Sequence, residues 1–163
     1  MRNHTQKLTR LAIMISFALI LSYVESRIPT FVAIPGVKVG LANIAVFFAL
    51  YRLGIKEAVT ISLVRVLLIS MLFGNPVSLV YSLTGAVFSL TAMLLLKKLT
   101  PLSEVTVSVS GGIMHNVGQI VAASMILDTN VVIYYLPFLI LSGTIAGTVI
   151  GVVSALLIKR VKI

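Results

Sequence analysis

The sequence has no cysteine and no tryptophan, and only four acidic residues among 163. Without cysteine there is no disulfide framework and no thiolate metal site. The acids, Glu25, Glu57, Glu104 and Asp128, are scattered along the chain. No cluster of aspartates therefore exists to hold magnesium on a diphosphate. His4 and His115 are far apart, with no carboxylate spaced to complete a zinc site. No G-x-x-x-x-G-K-S/T stretch occurs, which excludes ATP hydrolysis through a P-loop. No nucleophile has a base and an orienting group at motif spacing. The expectation is a chain with no catalytic residues of its own, no metal and no cofactor.

Charge is scarce as well. Only 10% of residues are charged, 59% are hydrophobic, and the mean hydropathy is +1.14. Soluble domains carry about 25% charged residues. The composition therefore points to an integral membrane protein, folded as a single domain over 1–163. The formal net charge of +9 does not indicate nucleic acid. Its bases sit in small groups between apolar runs rather than on one face. The opening "MRNHTQKLTRLAIMISFALIL" looks like a signal peptide, but no A-x-A site follows and the rest of the chain is equally apolar. An uncleaved first helix is expected.

A membrane-spanning helix needs about 20 predominantly apolar residues. Six candidate spans follow, at about 8–24, 39–53, 57–73, 76–96, 105–127 and 131–158, so the expected fold is an all-α, six-span bundle. Turn sequences separate them: "RIPTFVAIPGVKVG", "FGNPVS" with a helix-starting Pro76, "KKLTPLSE" and "LDTN". "EVTVSVSGG" alternates like a strand. A lone strand in lipid would leave its backbone unpaired, so this stretch is read as the start of the fifth helix.

The bases set an orientation. With the N-terminus inside, Arg2, Lys7, Arg10, Arg52, Lys56, Lys97, Lys98, Lys159, Arg160 and Lys162 all face the cytoplasm. Arg27 and Lys38 lie outside, in the first loop. This obeys the positive-inside rule, and an even number of spans returns the C-terminus to the cytoplasm. Tyr23, Tyr51, Tyr134 and Tyr135 fall near span ends, as interfacial anchors do. The expected location is the bacterial cytoplasmic membrane.

Arg65 is the base that this sorting leaves over. It stands in "ISLVRVLLIS", with no acid within seven positions on either side. A mid-span arginine costs about 2.5–3.5 kcal/mol on insertion scales. Three solutions are open. Arg65 bonds carbonyls and amides inside the bundle, reaches the cytoplasmic surface roughly 12 Å away, or faces a cavity and holds a ligand. The fifth span adds "GGIMHNVGQI", where His115 and Gln119 share a helix face beside Asn116. Such groups either clamp helices together or line a ligand site. Asn43 and Asn75 lie toward the same outer side, with Lys38 in the first loop above. An outward-open pocket under a loop lid is expected, against the plainer reading of Arg27 and Lys38 as solvated loop residues. Gly143, Gly147 and Gly151 form a small-residue ridge for helix packing. Ala12 with Ser16, and Ala18 with Ser22, give a weaker version in the first span.

The runs "RIPTFVAIPGVKVGLANI", "LVRVLLISMLFGNPVSLVYSLTGAVFSL", "SGGIMHNVGQIVAA" and "YYLPFLILSGTIAGTVIG" resemble the Gx transporter family, often labelled heptaprenyl diphosphate synthase component I. That family is in turn similar to the substrate-capture (S) components of energy-coupling factor transporters. The resemblance implies six helices, ligand capture from the outer face, and uptake driven by a transmembrane coupling protein and two ATPases. It implies ligand binding by Lys38, Asn43, Arg65, His115, Asn116 and Gln119, to which position in the outer half adds Asn75. It implies a coupling face at Ala12, Ser16, Ala18 and Ser22. Candidate ligands are a vitamin, a flavin, or a quinone or prenyl precursor, with an anionic or carbonyl-rich part. The alternatives are an accessory membrane subunit of heptaprenyl diphosphate or menaquinone synthesis, and a structural subunit of a membrane redox complex.

Overall fold

The computed structural model describes residues 2–27 and 40–161. Among the described residues the chain is all-helical, with no strand. Six α-helices follow in order: α1 (Arg2–Arg27), α2 (Asn43–Arg52), α3 (Ile55–Phe73), α4 (Pro76–Leu99), α5 (Glu104–Leu127) and α6 (Leu136–Arg160). The alternating stretch after Ser103 is helical, and the Ser103 hydroxyl caps it by accepting from the Thr106 N–H at 3.2 Å. The sixth expected span, at about 131–158, is met by the stretch Val131–Arg160, which opens on a tighter turn. A 3-10 turn over Val131–Tyr135 precedes α6, which starts at Leu136 with Pro137 in its first turn. Proline lacks an N–H and suits that first turn, so the regular helix begins there and not at Val131.

The helices close into a ring, each packed on the next in the order α1, α2, α6, α5, α4, α3, with α2 also against α3. α2 is the hub. Its residues Ile44 to Leu50 are all buried, as expected of a helix apolar all round. Phe47, Leu50, Ile61 and Val107 anchor the core around it. The ring's outer face is apolar: Met71, Leu72, Met125, Tyr134 and Leu141 are all exposed. Surface of this kind marks contact with lipid or another protein.

Length and composition qualify three stretches as spans, Thr5–Arg27, Pro76–Leu99 and Val131–Arg160. Three helices this long and apolar point to a membrane protein. α2, with 10 residues, is about 15 Å long, half of a hydrocarbon core. α3 carries Lys56, Glu57 and Arg65, and α5 carries His115, Asn116 and Gln119. Both place these polar groups in the interior of the ring or at its ends.

Basic helix ends gather at one end of the bundle. Lys7 pairs with Glu57 at 2.5 Å. Arg52 Nη2 donates to the Val161 carbonyl at 2.9 Å. Lys97 Nζ donates to the Leu50 carbonyl at 2.6 Å and sits over the Tyr51 ring. Arg52, Lys97 and Lys98, and Lys159 and Arg160 occupy the last turns of α2, α4 and α6, where helix dipoles favour cations.

The glycine ridge of α6 meets α5 backbone to backbone. A Cβ on Gly147 would lie 2.6 Å from Val109 Cα, and one on Gly151 2.9 Å from Val105 Cα. A Cβ on Gly143 would lie 2.8 Å from the Gly112 carbonyl oxygen. The approach lets Ser108 Oγ donate to the Gly147 carbonyl at 2.8 Å. Ala18 and Ser22 are buried toward the ring, whereas Ala12 and Ser16 are exposed. The two pairs lie six residues apart, so they face directions about 120° apart on a helix, and they form no common face. Gly147→Val should destabilise the fold by about 1–3 kcal/mol through overpacking, seen as a lower melting temperature in detergent. An unchanged melting temperature would contradict this close α5–α6 contact.

Candidate functional site: a polar cavity between five helices

At the end of the ring opposite the basic cluster, α1 to α5 enclose a cavity of about 100 Å3. It is lined by Ser22, Glu25 and Ser26 of α1, Gly40 and Asn43 at the start of α2, and Arg65, Val66, Ile69 and Ser70 of α3. Ser82 of α4 and His115 and Gln119 of α5 complete it. Four residues expected from the sequence therefore meet here: Asn43, Arg65, His115 and Gln119.

Arg65 points into this cavity. Its Nη2 donates to Asn43 Oδ1 at 3.2 Å, across two helices. Its Nε is buried and has no hydrogen-bond partner among the described residues. Glu25 is the carboxylate whose charge acts on Arg65, although the two make no contact ion pair. Glu25 is tied instead to the turn before α2, where it accepts a hydrogen bond from the Gly40 N–H. Gly40 takes a φ of +77° there, a backbone conformation that favours glycine. A Cβ at this position would also crowd Asn43 Nδ2 at 3.0 Å.

Three more buried polar atoms lack a partner among the described residues; Ser154 Oγ lies on α6 away from the cavity, and the other two belong to cavity residues. Gln119 Oε1 and Ser22 Oγ are buried without partners among the described residues, and Ser22 is only 8% exposed. A buried polar atom without a partner costs about 1–3 kcal/mol. Such atoms are rare in native proteins, and a bound ligand, ion or water accounts for many of them. Here the open donor of Arg65, the open acceptor of Gln119 and the hydroxyl of Ser22 belong to residues that line the same cavity. The His115 ring has space because position 85 is glycine, where a Cβ would sit 2.7 Å from His115 Cε1.

The other expected residues do not join them. Asn116 is buried, and its Nδ2 donates to the Leu139 carbonyl at 2.6 Å. It clamps α5 to α6, one residue around the helix from the cavity face. Asn75 is exposed and caps α4. Its Oδ1 accepts from the Ser78 N–H at 2.8 Å, and its own N–H donates to Ser78 Oγ at 3.0 Å. An asparagine before a helix-starting proline is a strong cap; that role takes its Oδ1, and Asn75 does not line the cavity. Lys38 lies outside the described residues. Arg27 is exposed, stacks on the Tyr23 ring and donates to its hydroxyl.

Sequence reasoning missed Ser70 of α3, Ser82 of α4, and Ser22, Glu25 and Ser26 of α1 as polar cavity lining. On α1 a signal was present: Ala18, Ser22 and Glu25 are spaced four and three apart, which places them on one helix face.

The family described as heptaprenyl diphosphate synthase component I matches residues 14–157. The chain belongs to this family. The match covers all six helices in whole or in large part, and with them every described residue of the cavity. No curated protein and no solved structure matches the chain.

Asn116→Ala should lower stability by about 0.6–1.7 kcal/mol, from the average to the largest value typical of hydrogen bonds between membrane helices. Thermal unfolding in detergent reads this directly. An Asn116→Ala protein as stable as the parent would remove the clamp role.

Proposed function

We propose that this family member is a six-span membrane protein, with both termini in the cytoplasm, that captures a small ligand from the outer face through the Arg65 cavity. In this reading a transmembrane coupling protein and ATPases supply the energy for uptake, because the chain has no nucleotide-binding motif. The observation that carries the proposal is that three of the four buried polar atoms without a partner among the described residues, Arg65 Nε, Gln119 Oε1 and Ser22 Oγ, belong to residues around one cavity, the fourth being Ser154 Oγ on α6.

The cavity also narrows the ligand. One guanidinium is balanced by one carboxylate, Glu25, so the site does not require an anion. Its open atoms call for an acceptor facing Arg65 beside a donor facing Gln119, as on an amide or imide edge. That favours the carbonyl-rich ligands over the anionic ones expected from Arg65 alone. The volume of about 100 Å3 is below the roughly 300–1,000 Å3 of drug-sized pockets. The cavity therefore receives the polar end of a ligand and leaves the remainder outside it.

The family name favours a second reading, an accessory membrane component of heptaprenyl diphosphate synthesis. The two differ in partners. Capture predicts co-purification with a coupling protein and ATPases. The accessory role predicts co-purification with a soluble synthase whose activity changes when this chain is removed.

Native mass spectrometry of the purified protein should show a bound small molecule that is lost in Arg65→Leu and in Gln119→Ala. Glu25→Gln should shift preference toward ligands with a carboxylate or phosphate, because it leaves Arg65 uncompensated. Unchanged ligand retention in both Arg65→Leu and Gln119→Ala would contradict this site.

A further inference from the structure

At the basic end of the ring, α1 and α6 both pack on α2 and make at most slight contact with each other. They leave an apolar groove of about 310 Å3, lined by Ile13, Met14 and Phe17 of α1, Phe48 of α2, and Leu157 and Val161. Arg10 stands at its mouth. The same Arg10 lines an adjoining polar cleft of about 350 Å3 with Lys7, Arg52 and Glu57. Glu57 is already paired with Lys7, so two guanidiniums face the cleft without a carboxylate of their own. Arg10 has no hydrogen bond or ion pair among the described residues. Arg52 spends one nitrogen on the Val161 carbonyl, and a guanidinium has five N–H donors in all.

We propose that this groove and cleft form one binding site for an anionic phospholipid of the bilayer, with the headgroup phosphate on Arg10 and Arg52 and an acyl chain along Phe17 and Phe48. An apolar slot opening beside two guanidiniums matches an amphiphile whose charge sits at the end of a hydrocarbon chain. Arginine also suits phosphate through paired N–H bonds. Basic pockets between membrane helices on the cytoplasmic side bind anionic lipid headgroups in this way. The site is separate from the polar cavity, at the other end of the bundle, and does not depend on what that cavity holds. By occupying the gap between α1 and α6, the lipid would hold α1 against the ring.

The test is native mass spectrometry of the full chain released from nanodiscs of equal parts phosphatidylglycerol and phosphatidylcholine. Each basic side chain near the surface is worth about fivefold in affinity, so two give roughly a twenty-five-fold preference for phosphatidylglycerol. The double variant Arg10→Gln, Arg52→Gln should bring the ratio close to one. Ile13→Trp, which fills the slot and keeps both cations, should also remove the retained lipid. Inorganic phosphate at millimolar concentration should not displace it. Equal retention of the two lipids, retention that survives the double variant, or displacement by phosphate alone would overturn the site. So would a parent protein that holds no lipid but binds a partner protein through Ile13 and Phe17.

Discussion

A guanidinium inside a membrane protein is the constraint around which this fold is arranged. Arg65 is costly in hydrocarbon, and the ring answers the cost from three other elements. α2 offers Asn43 as an acceptor, α1 offers the charge of Glu25, and α5 offers a polar face from His115 to Gln119. None of these lies on α3, so Arg65 is tolerated only where several helices converge. The short α2 makes that convergence possible. The turn before it and its first residue place the Gly40 N–H and Asn43 beside the cavity.

The two ends of the bundle use polarity differently. At one end, lysines and arginines bond helix carbonyls and sit on C-terminal turns, which fixes how α2, α4 and α6 stand relative to one another. At the other end, polar groups are left partly unpaired. Glycines let the framework between them pack closely: the α5–α6 contact runs through Gly112, Gly143 and Gly147, and Gly85 makes room for the His115 ring. A close-packed scaffold thus surrounds open polar atoms that hydrocarbon would not satisfy.

Much of this is legible in the sequence. Helix positions follow from runs of apolar residues broken by turns such as "FGNPVS", where Asn75 caps α4 and Pro76 starts it. The glycine ridge of α6 follows from its four-residue spacing. Arg65, Asn43, His115 and Gln119 stand out because polar groups are conspicuous in an apolar chain. Asn75 and Asn116 look like site residues for the same reason. Yet one is spent on a helix cap and the other on a carbonyl of α6, and only three-dimensional partners separate these roles. Glu25 does not stand out, because an acid near a span end is ordinary. Its meaning depends on the turn before α2 and on Arg65, which are distant in sequence.

The central claim is that Arg65 looks into a shared polar interior and not toward lipid. The chain has no native cysteine, so single cysteines report on this directly. In membranes, Ser70→Cys and Ser22→Cys should react with a water-soluble, membrane-impermeant thiol reagent from one side, while Met71→Cys and Leu67→Cys should react only with a lipid-soluble one. The reverse pattern, with positions 22 and 70 reached only from lipid, would contradict the account.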